Sequence, residues 1–100
     1  MRLVLAVLRP AQVESVRQAL AEVDVSRLTI CDAQSWGGPE GLVQRTILEI
    51  AVNEDFLDRT MHAIATVLAA AGEPLEGRVF ALPVTAAVQI YRDVRGPEAV

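Results

Sequence analysis

The chain opens on an unbroken aliphatic run, Leu3–Leu8, closed by Arg9-Pro10. A continuous run of this length, without alternation, is the pattern of a strand buried on both faces. Pro10 sits where the first turn of a helix tolerates it. Val13, Val16, Leu20 and Val23 then recur at spacings of three, four and three. That is one helical stripe, with Glu14, Arg17, Gln18 and Glu22 facing water. Asp24 breaks the pattern. The β-branched and apolar residues of Val25–Trp36 predict a strand from about Leu28 to Trp36. Gly37-Gly38-Pro39-Glu40-Gly41 is loop chemistry, because so many glycines beside a proline do not continue a central strand.

Thr46–Val52 predicts the next strand. Ile47 alternates with Glu49 there, and Leu48, Ile50 and Val52 take the opposite face. Asn53 is a good N-cap, with Glu54, Asp55 and Asp58 near the positive end of the helix dipole. Leu57, Met61, Ile64, Leu68 and Ala71 make a stripe at spacings of four, three, four and three. Gly72 then caps the helix and Pro74 follows it. Glu73–Gly77 reads as a second loop and Arg78–Val84 as a strand halted near Pro83. Ala86–Tyr91 reads as a short extra strand, and the polar Arg92–Val100 as a tail. The order is βαβ followed by βαβ. This predicts an α/β (α+β), ferredoxin-like double βαβ domain spanning residues 1–100. Right-handed crossovers put both helices on one face of a four-stranded antiparallel sheet. The strands look apolar on both sides, so the bare sheet face is expected to be covered by other subunits.

Composition agrees with this picture. A chain of 100 residues is one small domain, and oligomerisation would help to stabilise it. With 52% hydrophobic but only 4% aromatic residues, the core must be Val, Leu, Ile and Ala. A net charge of −4 disfavours a sequence-independent hold on nucleic acid. Cys31 is the single cysteine, which excludes an internal disulfide and a thiolate metal cluster within one chain. The apolar start is too short for a signal peptide, and Ala63–Gly72 is too short to span a bilayer. A cytoplasmic protein without membrane insertion is expected.

No catalytic constellation is recognisable. Asp58 and His62, at i and i+4, are two potential ligands and too few for a closed metal site. Cys31 lies in a strand with no base recognisable beside it, as a small hydrophobe does. The acidic group Glu54, Asp55 and Asp58 is explained by the helix start. Trp36, beside the glycine loop, either plugs the sheet end or borders a cleft or partner surface. Two segments have the chemistry of an anion site, the loop Gly37–Gly41 and Glu76-Gly77-Arg78. Glycine lets backbone N–H groups approach a phosphate and arginine adds a charge-assisted contact.

Read in order, these segments resemble the PII signal-transduction family. Met1–Pro10 is similar to the family's opening strand, and Val16–Val23 to its first helix. Leu28-Thr29 begins the strand leading to the T-loop. Trp36-Gly37 stands where the family has an aromatic followed by glycine. Arg45–Val52 resembles the strand after the T-loop, and Gly77-Arg-Val-Phe80 the Gly-Lys-Ile-Phe segment that ends the B-loop. The resemblance implies a homotrimer whose sheets line the interior. It also implies adenine nucleotide in clefts between subunits, and a T-loop that contacts a regulated transporter or enzyme. It places a short T-loop at 37–43, the B-loop at 72–77 and a C-terminal tail at 92–100. Thr29, Ser35, Gly37, Glu76, Gly77, Arg78 and Arg92 are then expected to bind the nucleotide or anion. Trp36, Gly38, Pro39 and Glu40 are expected to meet the partner.

Departures from the family pattern refine this. The T-loop is normally long and here is a short turn. Its usual glutamine is Pro39, so the resemblance does not extend to 2-oxoglutarate sensing. The B-loop keeps its closing acid, glycine and base in kind. The Arg-x-Arg of the last strand is Gln89-Ile-Tyr91, with Arg92 next door. Fewer positive charges favour ADP or AMP, or a small anion, over ATP. The chain therefore reads as a non-enzymatic regulator of nitrogen or carbon metabolism. The alternative is a nucleotide-free trimeric scaffold or metal-responsive module of the same fold. An RNA-binding or acylphosphatase-like use of the fold finds neither the positive balance nor a spare Asn.

Overall fold

The structure, a computed structural model, describes residues 1–70 and 77–100. Strand β1 (Arg2–Leu8) leads through a 3₁₀ turn at Pro10–Gln12 into helix α1 (Val13–Glu22). Strands β2 (Thr29–Trp36) and β3 (Leu42–Val52) form a hairpin, followed by helix α2 (Glu54–Ala70) and strand β4 (Arg78–Pro83). A small hairpin of β5 (Val88–Gln89) and β6 (Val94–Arg95) and a 3₁₀ helix at Gly96–Ala99 complete the described chain. The main sheet has the order β2-β3-β1-β4 with every pair antiparallel.

The helices cover one face of this sheet. Val4, Ala6 and Leu8 of β1 and Leu48, Ile50 and Val52 of β3 point inward and are buried. Val16 and Leu20 of α1 and Ala63, Ile64 and Leu68 of α2 meet them. The stripes read from the spacing are thus the buried ones. Thr60, fully buried on α2, satisfies its hydroxyl by donating to Phe56 O at 2.7 Å. Asp24, at φ 64°, takes the left-handed conformation that turns the chain away from α1.

Register assigns the other face. Leu3, Leu5 and Val7 stand opposite Leu82, Phe80 and Arg78 of β4 on one side, and Ala51, Glu49 and Ile47 of β3 on the other. Phe80 and Leu82 are among the exposed large hydrophobics, at 49% and 43%. The continuous aliphatic run of β1 therefore reflects two apolar sheet faces, of which the helices cover one.

Four details differ from the sequence expectation. Strand β3 begins at Leu42, not Thr46, because β2 and β3 stay paired out to Trp36 opposite Leu42. Residues 42 and 43 of the expected T-loop are therefore strand. The expected tail is structured: β6 pairs with β5, and Gly96 N donates to Ala87 O at 2.8 Å. The expected strand at 86–91 shrinks to Val88–Gln89. Asn53 does not cap α2 through its side chain. Its Nδ2 donates to Pro97 O at 3.0 Å, tying the C-terminal 3₁₀ helix to the start of α2, and its Oδ1 is buried without a partner. Ala71, Gly72, Pro74 and the loop residues 73–76 lie outside the described residues.

Candidate functional site

The β2–β3 hairpin closes tightly. Gly37 N donates to Gly41 O at 2.7 Å and Gly41 N to Gly38 O at 3.0 Å, around a single 3₁₀ turn at Gly38–Glu40. Gly38 at φ 63° and Gly41 at φ 71° occupy backbone regions that side chains disfavour, which is why glycine stands at both. At the base of this turn a cleft of about 310 Å³ opens on the uncovered sheet face. Ser35 and Gly37 line one side, Arg78 of β4 another, and Trp36, Glu40, Arg45 and the aliphatic Val7 and Val43 the rest. Arg45 Nη1 also donates to Gln44 O at 2.8 Å.

Three of the residues expected from the sequence, Ser35, Gly37 and Arg78, thus meet in one concavity, although two of them precede β3 and one begins β4. Of the expected partner-contact residues, Trp36 and Glu40 line the same cleft, while Gly38 and Pro39 sit exposed on the turn. Thr29 is elsewhere. It lines a separate hollow of about 210 Å³ with Arg27, Glu49 and Ala51, its side chain opposite Glu49 in the β2–β3 register. Ser35 is six residues further along β2, roughly 20 Å at strand rise. A third hollow of about 200 Å³ adjoins that of Thr29 and shares Arg27 and Ala51 with it. Arg92 belongs to the β5–β6 turn, where its N–H donates to Gln89 O at 3.3 Å, and does not line the Arg78 cleft. Gly77 packs on the core: a β-carbon there would meet Leu68 Cδ1 at 2.7 Å. Glu76 lies outside the described residues.

Sequence reasoning passed over Arg45 and Glu49. Both are charged residues that the β1–β3 and β2–β3 registers put on the open sheet face, and this was the signal available. Asp58 and His62 are exposed on α2, and no group of three or more metal-ligating side chains exists among the described residues. No described helix is long and apolar enough to cross a membrane.

The two-layer α+β sandwich, a four-stranded antiparallel sheet with two helices on one face, is of ferredoxin-like architecture. The profile of the nitrogen regulatory protein P-II family matches residues 1–94. Nitrogen regulatory protein GlnK1 of Methanosarcina mazei is 32% identical over 114 aligned positions, covering 100% of this chain and 97% of that protein. GlnK2 of Haloferax mediterranei is likewise 32% identical, covering 99% of this chain and 90% of its own. A crystal structure of Arabidopsis thaliana PII bound to citrate superposes with a TM-score of 0.87 at 26% identity, covering 99% of this chain and 91% of that one. The chain belongs to the P-II family of nitrogen regulatory proteins, whose members are signal-transduction regulators and not enzymes.

Proposed function

We propose that this regulator senses an adenine nucleotide, ADP or AMP in preference to ATP, or a small anion, in a cleft shared between copies of the chain. Through the β2–β3 hairpin it controls a partner protein in nitrogen or carbon metabolism. The observation that carries the reading is the convergence of Ser35, Gly37 and Arg78 on one cleft at the hairpin base. A guanidinium beside a glycine turn suits a phosphate or carboxylate. The citrate in the Arabidopsis relative makes a tricarboxylate one of the anions to test.

The same reading accounts for the separation of Thr29 from Arg78. Two half-sites about 20 Å apart on one β2 strand do not close on one small ligand, but neighbouring copies can juxtapose them. The apolar open face with Phe80 and Leu82 gives those copies a surface to bury, and a homotrimer is the assembly we infer. In this reading Arg92, on the outlying hairpin, serves the cleft of a neighbouring copy and not its own. The exposed hairpin end, with Trp36 at 75% exposure, is the surface offered to the regulated protein. A cytoplasmic location goes with this role.

The test is calorimetric titration with AMP, ADP, ATP, citrate and bicarbonate after light scattering has fixed the mass. A trimer binding one nucleotide or anion per subunit, weakened at least tenfold by Arg78→Ala, is expected; a charge-assisted contact of about 1.5–3 kcal/mol corresponds to that loss. Wild-type affinity in Arg78→Ala refutes the site. A trimer that binds none of these ligands refutes the sensing role and leaves a scaffold.

A further inference from the structure

We propose that Glu40 sets the charge selectivity of the Arg78 cleft, as a fixed negative charge that admits weakly charged anions and repels highly phosphorylated ones. The inference rests on the anion-site reading above. The sequence reading expects Glu40 to meet a partner, but the turn brings it into the cleft lining. Its carboxylate folds back over Gly37: a β-carbon built on Gly37 would stand 3.5 Å from Glu40 Cβ and 3.7 Å from Glu40 Oε2. Glu40 makes no ion pair with any described residue, so no contacting cation cancels its charge.

The turn also withdraws a donor. Gly37 N–H, the amide of a lining residue, is already given to Gly41 O at 2.7 Å. An anion held by Arg78 therefore finds a carboxylate in the cleft wall where a glycine loop would ordinarily present N–H groups. With a charge about 7 Å from Glu40, each extra unit of negative charge weakens binding by ~3-fold at water-like screening and ~50-fold at protein-surface screening. AMP and ATP differ by about two such charges at neutral pH. Arg45 and Arg78 attract any anion to the cleft, and Glu40 offsets that attraction most for the most highly charged ligand, the kind of opposing contact that selectivity against a competitor often requires.

The experiment compares wild type, Glu40→Gln and Glu40→Asp by calorimetry at fixed ionic strength. The probes are AMP, ADP and ATP, together with inorganic phosphate and triphosphate. In Glu40→Gln the affinity ratio of ATP to AMP is expected to rise about 9-fold, two charges at the lower Coulomb factor of ~3 each, and the rise should shrink as salt is added. Glu40→Asp keeps the charge and should keep the ratio near wild type, which separates charge from turn structure; unchanged melting temperatures confirm the fold. Nucleotide binding with the same ratio in wild type and Glu40→Gln overturns the filter and leaves the site reading intact. No nucleotide binding, but a triphosphate-to-phosphate ratio raised by Glu40→Gln, supports the filter and overturns the nucleotide reading. No binding of any anion to any of the proteins overturns both.

Discussion

Gly77→Ala separates two roles that a glycine before Arg78 can have, a phosphate-approach point and a packing requirement. The obstacle is Leu68. An added β-carbon would stand 2.7 Å from Leu68 Cδ1, 3.1 Å from Cδ2 and 3.4 Å from Cγ. All three are inside the ~3.5–4.0 Å optimum for carbon contacts. Leu68 is 5% exposed and packs in the main core, so it cannot swing into solvent without opening a void. Overpacking of this kind costs ~1–3 kcal/mol. The stiffer unfolded chain returns ~0.4–1 kcal/mol of that. The net expectation is a loss of about 0.5–2 kcal/mol.

Urea unfolding at fixed protein concentration reads this loss. With a slope of ~1–3 kcal/mol/M the midpoint should fall by roughly 0.2–2 M at constant slope. The double variant with Leu68→Ala makes the assignment specific. Leu68→Ala alone costs ~2–5 kcal/mol but removes the atoms that alanine at position 77 would strike. The pair should therefore be less destabilised than the sum of the singles by ~1–2 kcal/mol. Strict additivity, or a Gly77→Ala protein as stable as wild type that has lost nucleotide binding, would refute the packing argument and return Gly77 to the ligand.

The open sheet face gives the next prediction. Phe80→Asp places a charge beside Leu5 and Leu82 on that face without touching the helix-covered core, so light scattering should report a monomer in place of the trimer proposed for wild type; an unchanged mass refutes the assignment of this face to subunit contact. A second concerns pH. Glu54 accepts from Arg2 Nε at 2.7 Å, and this bond, aided by the nearby Arg2 and N-terminal charges, holds its carboxyl below the ordinary 4.5. A depressed acid contributes stability that is present above the unfolded value and lost as pH falls through the folded one. The melting temperature should therefore fall on acidification below about pH 4.5, and Glu54→Gln should flatten part of that limb. The effect is modest because the pair is exposed and screened by salt. Equal acid slopes in the two proteins would show that the Arg2–Glu54 link between β1 and α2 carries nothing.

What the sequence made legible follows from where each pattern was enforced by a covered face. Leu48, Ile50 and Val52 alternate because α2 and α1 lie over them, and that half of β3 reads correctly. Leu42–Arg45 lie on the part of the ribbon that runs beyond the helices, where none of the four is fully buried and the apolar Leu42 is exposed while Arg45 is partly covered, so the residue types do not alternate and the strand start is invisible. The β5–β6 hairpin is hidden for a different reason. It pairs only Val88 with Arg95 and Gln89 with Val94, and its anchor is the distant Asn53 side chain on Pro97 O. No local propensity encodes that bond. The cleft was half legible. Glycine and arginine marked its chemistry, but their meeting depends on the strand order β2-β3-β1-β4, and the direction of Glu40 depends on the backbone angles of Gly38 and Gly41. The residues that the single chain leaves apart tell the rest. Thr29 and Ser35 lie toward opposite ends of one rigid strand, and Arg92 stands on a separate hairpin. No side-chain rearrangement within one copy brings them around a common ligand. If all of them serve one site, a second copy must supply part of it, and the uncovered apolar face is the surface that would hold that copy in register.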